Sequence, residues 1–385
     1  MKAQRNIRIM YAIAFLQGMV FYAPVASLYR QTRGMSLGQI ALLESISFII
    51  QLAMELPWGL VADRIGYKKT MAAGCGIFAL SKLVFWRANG FWDFFWERFL
   101  LSAAIAALSG VDESILYLSC GDGDSQKVFG RWGAFSTAGL LVSAGAFSLF
   151  MAEDYALSAL ATLIAYALAA LLALGLSEVR PPEKERREPV RAFFRLLRST
   201  LRDRRFLLLI VCWALYGQAL SSVCTWLSQN QYLRCGMGSR AMGFVYILVS
   251  VISMTSAFSQ RVTDRLGRVR AAVGALALAG VACAALVFTR SAVLSAACIL
   301  ALEGSYALVS PLASQVWNRQ VSGADRATRL SIYAVLDAAV SAGGSLVIGR
   351  VSDASLDGAF ALCAGACVLC AIAVAVRCKG YFERK

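Results

Sequence analysis

Acidic side chains inside long apolar stretches are the residues of this sequence that could carry chemistry. Glu303 and Asp337 each lie in such a stretch without an obvious basic neighbour, and Glu55, Asp112 and Glu113 lie in two others. An ionisable group inside a membrane costs at least about 2.5–3.5 kcal/mol, so its default interpretation is functional. The sequence contains no histidine, and proton exchange near neutral pH would therefore have to use carboxyl groups. The alternative for each acid is a structural ion pair or a hydrogen bond between helices.

Arg98 is a further candidate for proton coupling because it shares a helix face with polar residues. At 100° per residue, Arg98, Ser102, Ser109 and Asp112 fall within one narrow stripe. A polar stripe on an otherwise apolar helix is typical of a face that contacts a water-filled cavity or a partner helix. By contrast, we expect Lys82 to lie near the outer surface, as a snorkelling or latch residue.

Aromatic and neutral polar residues recur at helical spacing and predict a binding surface for an organic substrate. The candidates are Tyr11, Phe15, Tyr22, Gln218, Ser222, Thr225, Gln229 and Tyr306. Such a mixture suits an amphiphilic molecule whose charge Glu303 or Asp337 could match. For the first three residues, an aromatic stripe that faces lipid is an open alternative.

Composition indicates the environment of these side chains. The chain has 385 residues, of which 59% are hydrophobic and 16% are charged, whereas soluble domains have about 25% charged residues. This deficit predicts an all-α protein that crosses the membrane many times, since a span needs about 20 apolar residues. Twelve stretches qualify: 9–29, 37–61, 70–88, 92–118, 132–152, 155–177, 206–232, 241–260, 271–289, 292–317, 330–350 and 358–376.

The distribution of basic residues predicts the orientation in the membrane. Roughly three quarters of the 38 lysines and arginines fall in alternate connections, which by the positive-inside rule places both termini in the cytoplasm. The net charge of +15 is therefore a signal of topology, and nucleic acid is not an expected partner.

One long polar break divides the twelve stretches into two groups of six. We predict a first bundle at 1–177, a cytoplasmic linker at 178–205 and a second bundle at 206–385. Within the linker, apolar and basic residues alternate at helical spacing, which predicts an amphipathic helix that binds anionic lipid of the inner leaflet; a solvated linker is the alternative. The basic face comprises Arg191, Arg195, Arg198 and Arg202.

The two groups repeat each other. The segment that begins Asp63-Arg64-Ile-Gly66 returns as Asp264-Arg265-Leu-Gly267, offset by 201 residues. Parallel repeats of six helices are typical of transporters, whose binding site lies near the midplane between the halves.

The first copy of this segment resembles the loop signature of the major facilitator superfamily. It reads Gly59-Leu-Val-Ala-Asp63-Arg64-Ile-Gly66-Tyr-Lys68-Lys69. The resemblance implies two pseudo-symmetric bundles of six helices and a gating role for this loop and its second copy, Asp264, Arg265 and Gly267. A basic loop that only sets topology is the alternative.

Two further segments resemble a branch of bacterial exporters within that superfamily. The first is Glu55-Leu-Pro57-Trp-Gly59. The second is Arg98-Phe-Leu-Leu-Ser102 followed by Ser109-Gly110-Val-Asp112-Glu113-Ser-Ile-Leu-Tyr117, with Ser102 where that branch usually has glycine. The resemblance implies a proton-coupled efflux transporter of the bacterial cytoplasmic membrane that works as a monomer. The fifth span departs from the family's antiporters, because Gly139-Leu-Leu-Val-Ser-Ala-Gly145 lacks the proline of their Gly-Pro-x-x-Gly-Gly pattern.

Three classes of function remain distinguishable. The leading hypothesis is a secondary transporter of a small organic solute, coupled to protons; within it, uptake of a nutrient is the alternative to efflux. A non-transporting scaffold or receptor with the same fold is the second class. An enzyme is disfavoured, since no histidine, metal cluster or nucleophilic triad occurs in the sequence, and we expect no cofactor.

Overall fold

The computed structural model describes residues 2–120, 125–179, 198, 200–320 and 326–383. Within these ranges the chain forms twelve long helical segments, whose regular turns bond their backbone N–H and C=O groups within the same segment. They are α1 (Gln4–Thr32), α2 (Leu37–Ile65), α3 (Tyr67–Arg87), α4 (Phe91–Cys120), α5 (Ser125–Met151), α6 (Tyr155–Leu174), α7 (Arg204–Arg234), α8 (Ser239–Leu266), α9 (Arg268–Phe288), α10 (Ala292–Arg319), α11 (Arg326–Ala354) and α12 (Leu356–Phe382).

Eleven of these helices are long and apolar enough to cross a membrane. The exception is α3, where Lys68, Lys69, Lys82 and Arg87 dilute the apolar residues. Each helix coincides with one of the twelve predicted spans. Most helix ends lie within a few residues of the predicted ends, and several helices are longer than the predicted span. The predicted all-helical membrane fold is confirmed.

Several helices change their winding part-way along. α1 is regular as far as Gly18, passes through a 3₁₀ turn at Ala23–Val25 and resumes at Ala26–Thr32. α4 breaks at Gly110, whose φ of +74° separates the segments Phe91–Leu108 and Val111–Cys120. α5, α7 and α12 each contain a π turn. Because winding changes shift the angular position of every later residue, they change which side chains share a face.

The chain divides into two compact units. Unit 1 comprises the described residues of Met1–Met35, Ile46–Glu185 and Ser239–Ile247. Its core lies where α1, α3, α4 and α6 meet, around Met10, Met71, Leu116 and Ala169. In this unit α1 and α5 approach closely, since a Cβ on Gly139 would collide with the backbone of Phe15.

Unit 2 comprises the described residues of Ser36–Ser45, Arg186–Gly238 and Leu248–Lys385. Its helices pack mainly as α9 on α12 and α7 on α11, with small buried residues such as Ala279 and Cys363 between α9 and α12. Small residues of this kind let helix backbones approach closely in a membrane, where no hydrophobic effect drives helices together.

The first turns of α2 and α8 belong to different units from the rest of their helices. In unit 2, the Asp353 carboxylate of α11 accepts hydrogen bonds from the Gly38 N–H (2.8 Å) and the Ser36 hydroxyl (3.1 Å) at the start of α2. In unit 1, the Tyr155 and Ser239 hydroxyls are 2.6 Å apart. The N-terminal end of α2 is thus stabilised by a carboxylate more than 300 positions later in the sequence.

The predicted internal repeat is visible in the helix bounds. α3 and α9 are both 21 residues long, and both their first and their last residues differ by 201 positions. Each follows a glycine with an unusual backbone, Gly66 (φ +95°, ψ 156°) and Gly267 (φ +83°, ψ 146°), close to a region that only glycine readily adopts.

The predicted linker falls largely outside the described residues. Of its basic face, only Arg198 and Arg202 are described, and both are helical and exposed. The boundary at 178–205 and the amphipathic helix stay predictions.

The two turn glycines give a stability prediction. Gly66→Ala should destabilise the protein by more than the roughly 1–3 kcal/mol of backbone strain, because the new Cβ would lie 2.7 Å from the Glu178 carboxylate and displacing that carboxylate would break its hydrogen bond from the Lys68 N–H. Gly267→Ala meets nothing within 4 Å and should show the backbone strain alone. In detergent, the unfolding temperature of Gly66→Ala should be lower than that of Gly267→Ala, and both should be lower than that of the wild type.

Gly76→Ala is the matched control. Gly76 is exposed in the middle of α3, has open space around it and carries no positive φ. A loss at Gly76→Ala as large as at Gly66→Ala would contradict the conformational argument.

Candidate functional site

Unit 1 contains a buried lysine in an aromatic cage. The Lys82 side chain is 4% exposed, and its Nζ donates a hydrogen bond to the Tyr22 hydroxyl at 3.1 Å. The same nitrogen lies 5.2 Å from the ring centre of Phe78 and 5.3 Å from that of Tyr166. Aromatic faces attract a cation that has lost its water. The prediction that Lys82 snorkels to the surface is therefore wrong.

A second buried group of charges lies in the same unit. Glu97 is completely buried, and its Oε2 lies 3.6 Å from Arg30 and 3.7 Å from Arg98. The Arg30 guanidinium also lies over the rings of Phe85 (5.3 Å) and Phe94 (5.8 Å). Both guanidinium groups thus share one carboxylate.

These two groups form one electrostatic cluster, which we call the cationic cluster: Arg30, Lys82, Glu97 and Arg98. Lys82 is within electrostatic range of the three other members. Three basic side chains and one carboxylate thus lie within electrostatic range of one another in unit 1. Sequence reasoning selected only Arg98. The available signal was the Glu97-Arg98 pair within an aromatic run, Phe94-Phe-Trp-Glu97-Arg98-Phe.

The predicted polar stripe on α4 is interrupted. Ser102 lies in the first segment, is buried and donates to the Ser47 carbonyl at 3.2 Å. Asp112 follows the break at Gly110, and its Oδ1 accepts the N–H of Glu113 at 2.7 Å, in the first turn of the second segment. Arg98 and Asp112 therefore do not belong to one continuous regular helix.

The structure brings Glu55 of α2 next to α4. The Ser109 hydroxyl lies 3.5 Å from Glu55 Oε1, and the Glu55 and Glu113 side chains are exposed. The acids of α2 and α4 thus lie on neighbouring helices within unit 1, while Arg98 belongs to the cationic cluster.

The predicted aromatic face of α1 separates into different environments. Tyr11 stacks on Phe135 with ring centres 5.2 Å apart, and its hydroxyl donates to the Val128 carbonyl at 3.3 Å. Phe15 is half-buried, and its carbonyl faces Gly139. Tyr22 follows the end of the regular helix at Gly18 and contacts Lys82 instead. The winding change between Gly18 and Ala23 explains this divergence.

Unit 2 contains the other two predicted acids. Glu303 on α10 and Asp337 on α11 are both half-buried. Among the residues that the structure describes, neither carboxylate forms an ion pair. Both lie within electrostatic range of the Tyr306 hydroxyl. Two carboxyl groups from neighbouring spans therefore act electrostatically on one tyrosine of unit 2.

Aromatic rings surround Tyr306. Its ring centre lies 5.3 Å from that of Tyr216 and 6.0 Å from that of Trp213, and Tyr216 is held by a 2.7 Å hydrogen bond to Ser305. We call Trp213, Tyr216 and Tyr306 the aromatic triad. Of its members, sequence reasoning selected only Tyr306, because Trp213 and Tyr216 precede the polar face that was selected on α7.

The predicted polar face of α7 is held by bonds within its own helix. The Gln218 amide donates to the Ser222 hydroxyl at 2.9 Å, and the Gln229 amide donates to the Thr225 carbonyl at 2.9 Å. A π turn at Val223–Leu227 follows the first pair and contains Thr225 of the second. Gln218, Ser222 and Gln229 are buried, whereas Thr225 is exposed.

The predicted gating loop has exposed charged side chains, and a carboxylate from another segment accepts a hydrogen bond from its backbone. Asp63, Arg64 and Lys69 are exposed, as are Asp264 and Arg265 in the second copy, and Gly59 has open space around it. The Lys68 N–H donates to Glu178 Oε1 at 3.2 Å, so a residue beyond α6 binds the start of α3. Sequence reasoning did not select Glu178.

Comparison with known proteins identifies the family. The family model of the Major Facilitator Superfamily matches residues 9–315. The chain belongs to the major facilitator superfamily, which confirms the family predicted from the loop signature.

Solved structures agree in fold. The chain is similar to a mutant form of the nucleoside transporter NupG, with 15% identity, a TM-score of 0.84 and coverage of 98% of this chain and 100% of that one. It is also similar to the human organic anion transporter MFSD10, with 17% identity, a TM-score of 0.62 and coverage of 97% and 100%. The POT family transporter PepTSo gives 13% identity, a TM-score of 0.73 and coverage of 99% of both chains. A comparison with curated sequences finds no match.

The cationic cluster gives a second prediction. Glu97→Gln would leave Arg30 and Arg98 buried beside a neutral amide, and removing one partner of a buried ion pair costs about 3–5 kcal/mol. Unfolding in detergent should show this loss in the free energy of unfolding. Adding Arg30→Gln to the Glu97→Gln variant should recover part of it, because one of the two guanidinium groups that lost the Glu97 carboxylate is then removed as well.

Glu153→Gln is the control, since Glu153 is exposed between α5 and α6 and the same chemical change there should cost little. Equal small losses for the two Glu→Gln variants would show that Glu97 does not compensate the guanidinium groups.

Proposed function

We propose that this chain is a proton-coupled secondary transporter that moves a small amphiphilic organic solute out of the cell by alternating access. The family and fold are those of transporters; proton coupling, solute and direction are the proposal. The observation that carries it is the pair Glu303 and Asp337, two carboxyl groups in spans that have no ion-pair partner among the described residues.

Proton coupling follows from the contrast between the two units. In unit 1 the buried Glu97 carboxylate lies within 4 Å of two guanidinium groups. Glu303 and Asp337 lack such partners, so the cost of burying their charge favours reversible protonation. With no histidine in the sequence, carboxyl groups are the side chains suited to this exchange near neutral pH.

The aromatic triad supports an organic solute. Trp213, Tyr216 and Tyr306 offer ring faces beside two acids, and ring faces attract both planar groups and cations. A solute with an apolar or planar body and a positive group would compete with the proton for the same carboxylates. Binding of one would then weaken binding of the other, which is the linkage that coupled exchange requires.

Uptake of a nucleoside-like solute by symport is the second candidate. Two of the similar solved structures are described as a nucleoside transporter, and a ring system with a nearby amide, such as Gln218, also suits a heterocyclic base. The buried carboxyl groups would then carry the proton in the same direction as the solute. A scaffold without transport activity is the remaining alternative from the sequence.

The remaining parts of the proposal concern gating and location. The loops at Asp63 and Asp264 would act as latches on the cytoplasmic side, with both termini in the cytoplasm and the protein in the bacterial cytoplasmic membrane. Support comes from the distribution of basic residues and from the matching backbone of Gly66 and Gly267. The transporter would function as a monomer.

Transport in proteoliposomes with an imposed pH gradient tests the proposal. Wild-type protein should couple movement of an amphiphilic cation to proton movement in the opposite direction. Glu303→Gln and Asp337→Asn should each abolish accumulation against the gradient while leaving the folded protein intact. Exchange of the solute down its own gradient should persist, since each single variant keeps the other carboxylate and the aromatic triad to bind the solute.

Glu153→Gln and Tyr306→Phe serve as comparisons. Glu153→Gln should transport as the wild type does, because Glu153 is exposed and outside unit 2. Tyr306→Phe keeps the ring and should alter the pH dependence without abolishing solute binding. Proton movement in the same direction as the solute would favour symport, whereas normal accumulation by both acid variants would remove Glu303 and Asp337 as coupling groups.

A further inference from the structure

A basic pocket lies where α7 begins and α12 ends, within unit 2. Its volume is about 550 Å³, and four of its eight lining residues are basic while none is acidic. The basic residues are Arg204 and Arg205 from α7 and Arg377 and Lys379 from the end of α12. Both spans end here, so the pocket lies at a membrane surface, the one that the positive-inside rule assigns to the cytoplasm.

The charges of the pocket are available to a ligand. All four basic side chains are exposed, and among the described residues none of them has an ion pair. Asp203 is the adjacent acid in the sequence, but its carboxylate accepts the Phe206 N–H at 3.1 Å and the Tyr381 hydroxyl at 2.9 Å. This carboxylate is therefore already bound to the start of α7 and to Tyr381 in one wall of the pocket.

The walls of the pocket are fixed before any ligand arrives. The Phe206 ring packs against Tyr381 (5.4 Å between ring centres), Tyr333 (5.0 Å) and Trp317 (5.5 Å). The Cys378 thiol lies 3.6 Å from the Arg205 carbonyl and ties the two helices together. A preformed site binds its ligand without the cost of ordering its own side chains and loops.

The pocket is polar on one side and apolar on the other. Leu208 lies three residues after Arg205, so about 5 Å further along the span, and Val376 is 68% exposed on the neighbouring helix. A soluble anion would use only the basic rim, whereas a phospholipid would place its phosphate on the rim and its acyl chains along Leu208 and Val376.

The geometry points to a binding site for the headgroup of an anionic phospholipid in this pocket. Guanidinium groups bind phosphate oxygens in a bidentate manner, and basic pockets between helix ends on the cytoplasmic side suit phosphate headgroups. With four cations, a headgroup that carries two phosphates should bind more tightly than one that carries a single phosphate. This site is independent of proton coupling and of the transported solute.

Lipid binding to the purified full-length protein tests the site. Native mass spectrometry would count bound cardiolipin, phosphatidylglycerol and phosphatidylcholine on the wild type and on a variant with Arg204, Arg205, Arg377 and Lys379 all changed to Gln. The variant should bind cardiolipin at least about tenfold more weakly. Its binding of phosphatidylglycerol should fall less, and its binding of phosphatidylcholine should not change. A fourfold control variant at exposed positions of unit 1, with Arg5, Arg8, Lys127 and Arg131 changed to Gln, should keep cardiolipin binding.

Three results would overturn the site. The first is that the pocket variant binds cardiolipin as the wild type does. The second is that the control variant loses as much cardiolipin binding as the pocket variant. The third is that glycerol phosphate stabilises the wild-type protein against unfolding as strongly as cardiolipin does. The last result would indicate a site for a soluble phosphate. If the fourfold pocket variant does not fold, Arg377→Gln with Lys379→Gln alters only the end of α12 and should still weaken cardiolipin binding severalfold.

Discussion

The absence of water from the membrane interior is the constraint on which the rest of this structure depends. A backbone N–H or C=O that lacks a partner there costs several kcal/mol, and a helix avoids this cost by bonding within itself. The winding changes in α1, α4, α7 and α12 are therefore informative. In α1 another helix satisfies a freed backbone group, since the Phe21 N–H donates to the Thr162 hydroxyl of α6 at 3.0 Å, and the change lies beside Tyr22 of the candidate site.

The same constraint acts on charges, and the two units respond to it differently. In unit 1, burial is offset: Glu97 lies between two guanidinium groups, and aromatic faces surround Lys82 and Arg30. In unit 2, Glu303 and Asp337 have no such offset within the described residues. An ion pair between buried groups stabilises one arrangement of helices, and no ion pair of the described residues fixes the Glu303 and Asp337 side chains in this way.

The sequence predicted the helices well because apolar length and basic connections have a direct physical meaning in a membrane. It predicted side-chain environments less well, for two reasons. Extrapolating 100° per residue assumes a regular helix, which fails for Tyr22 after Gly18 and for Asp112 after Gly110. Partners from distant segments have no local signal either. Lys82 was predicted to lie near the surface, whereas its cage combines Phe78 of the same helix with Tyr22 and Tyr166 of two other helices.

The division of α2 and α8 between the two units has a consequence for how the protein is made. Unit 1 includes Ser239–Ile247, so the six helices that emerge first from the ribosome cannot complete it. Those helices must wait in the membrane, with the side of α5 and α6 near Ser148 and Tyr155 uncovered, until α8 has been synthesised. Likewise the first turn of α2 meets Asp353 only when α11 is nearly finished. Final assembly is therefore a late event of translation, and a chain that stops early leaves both units incomplete.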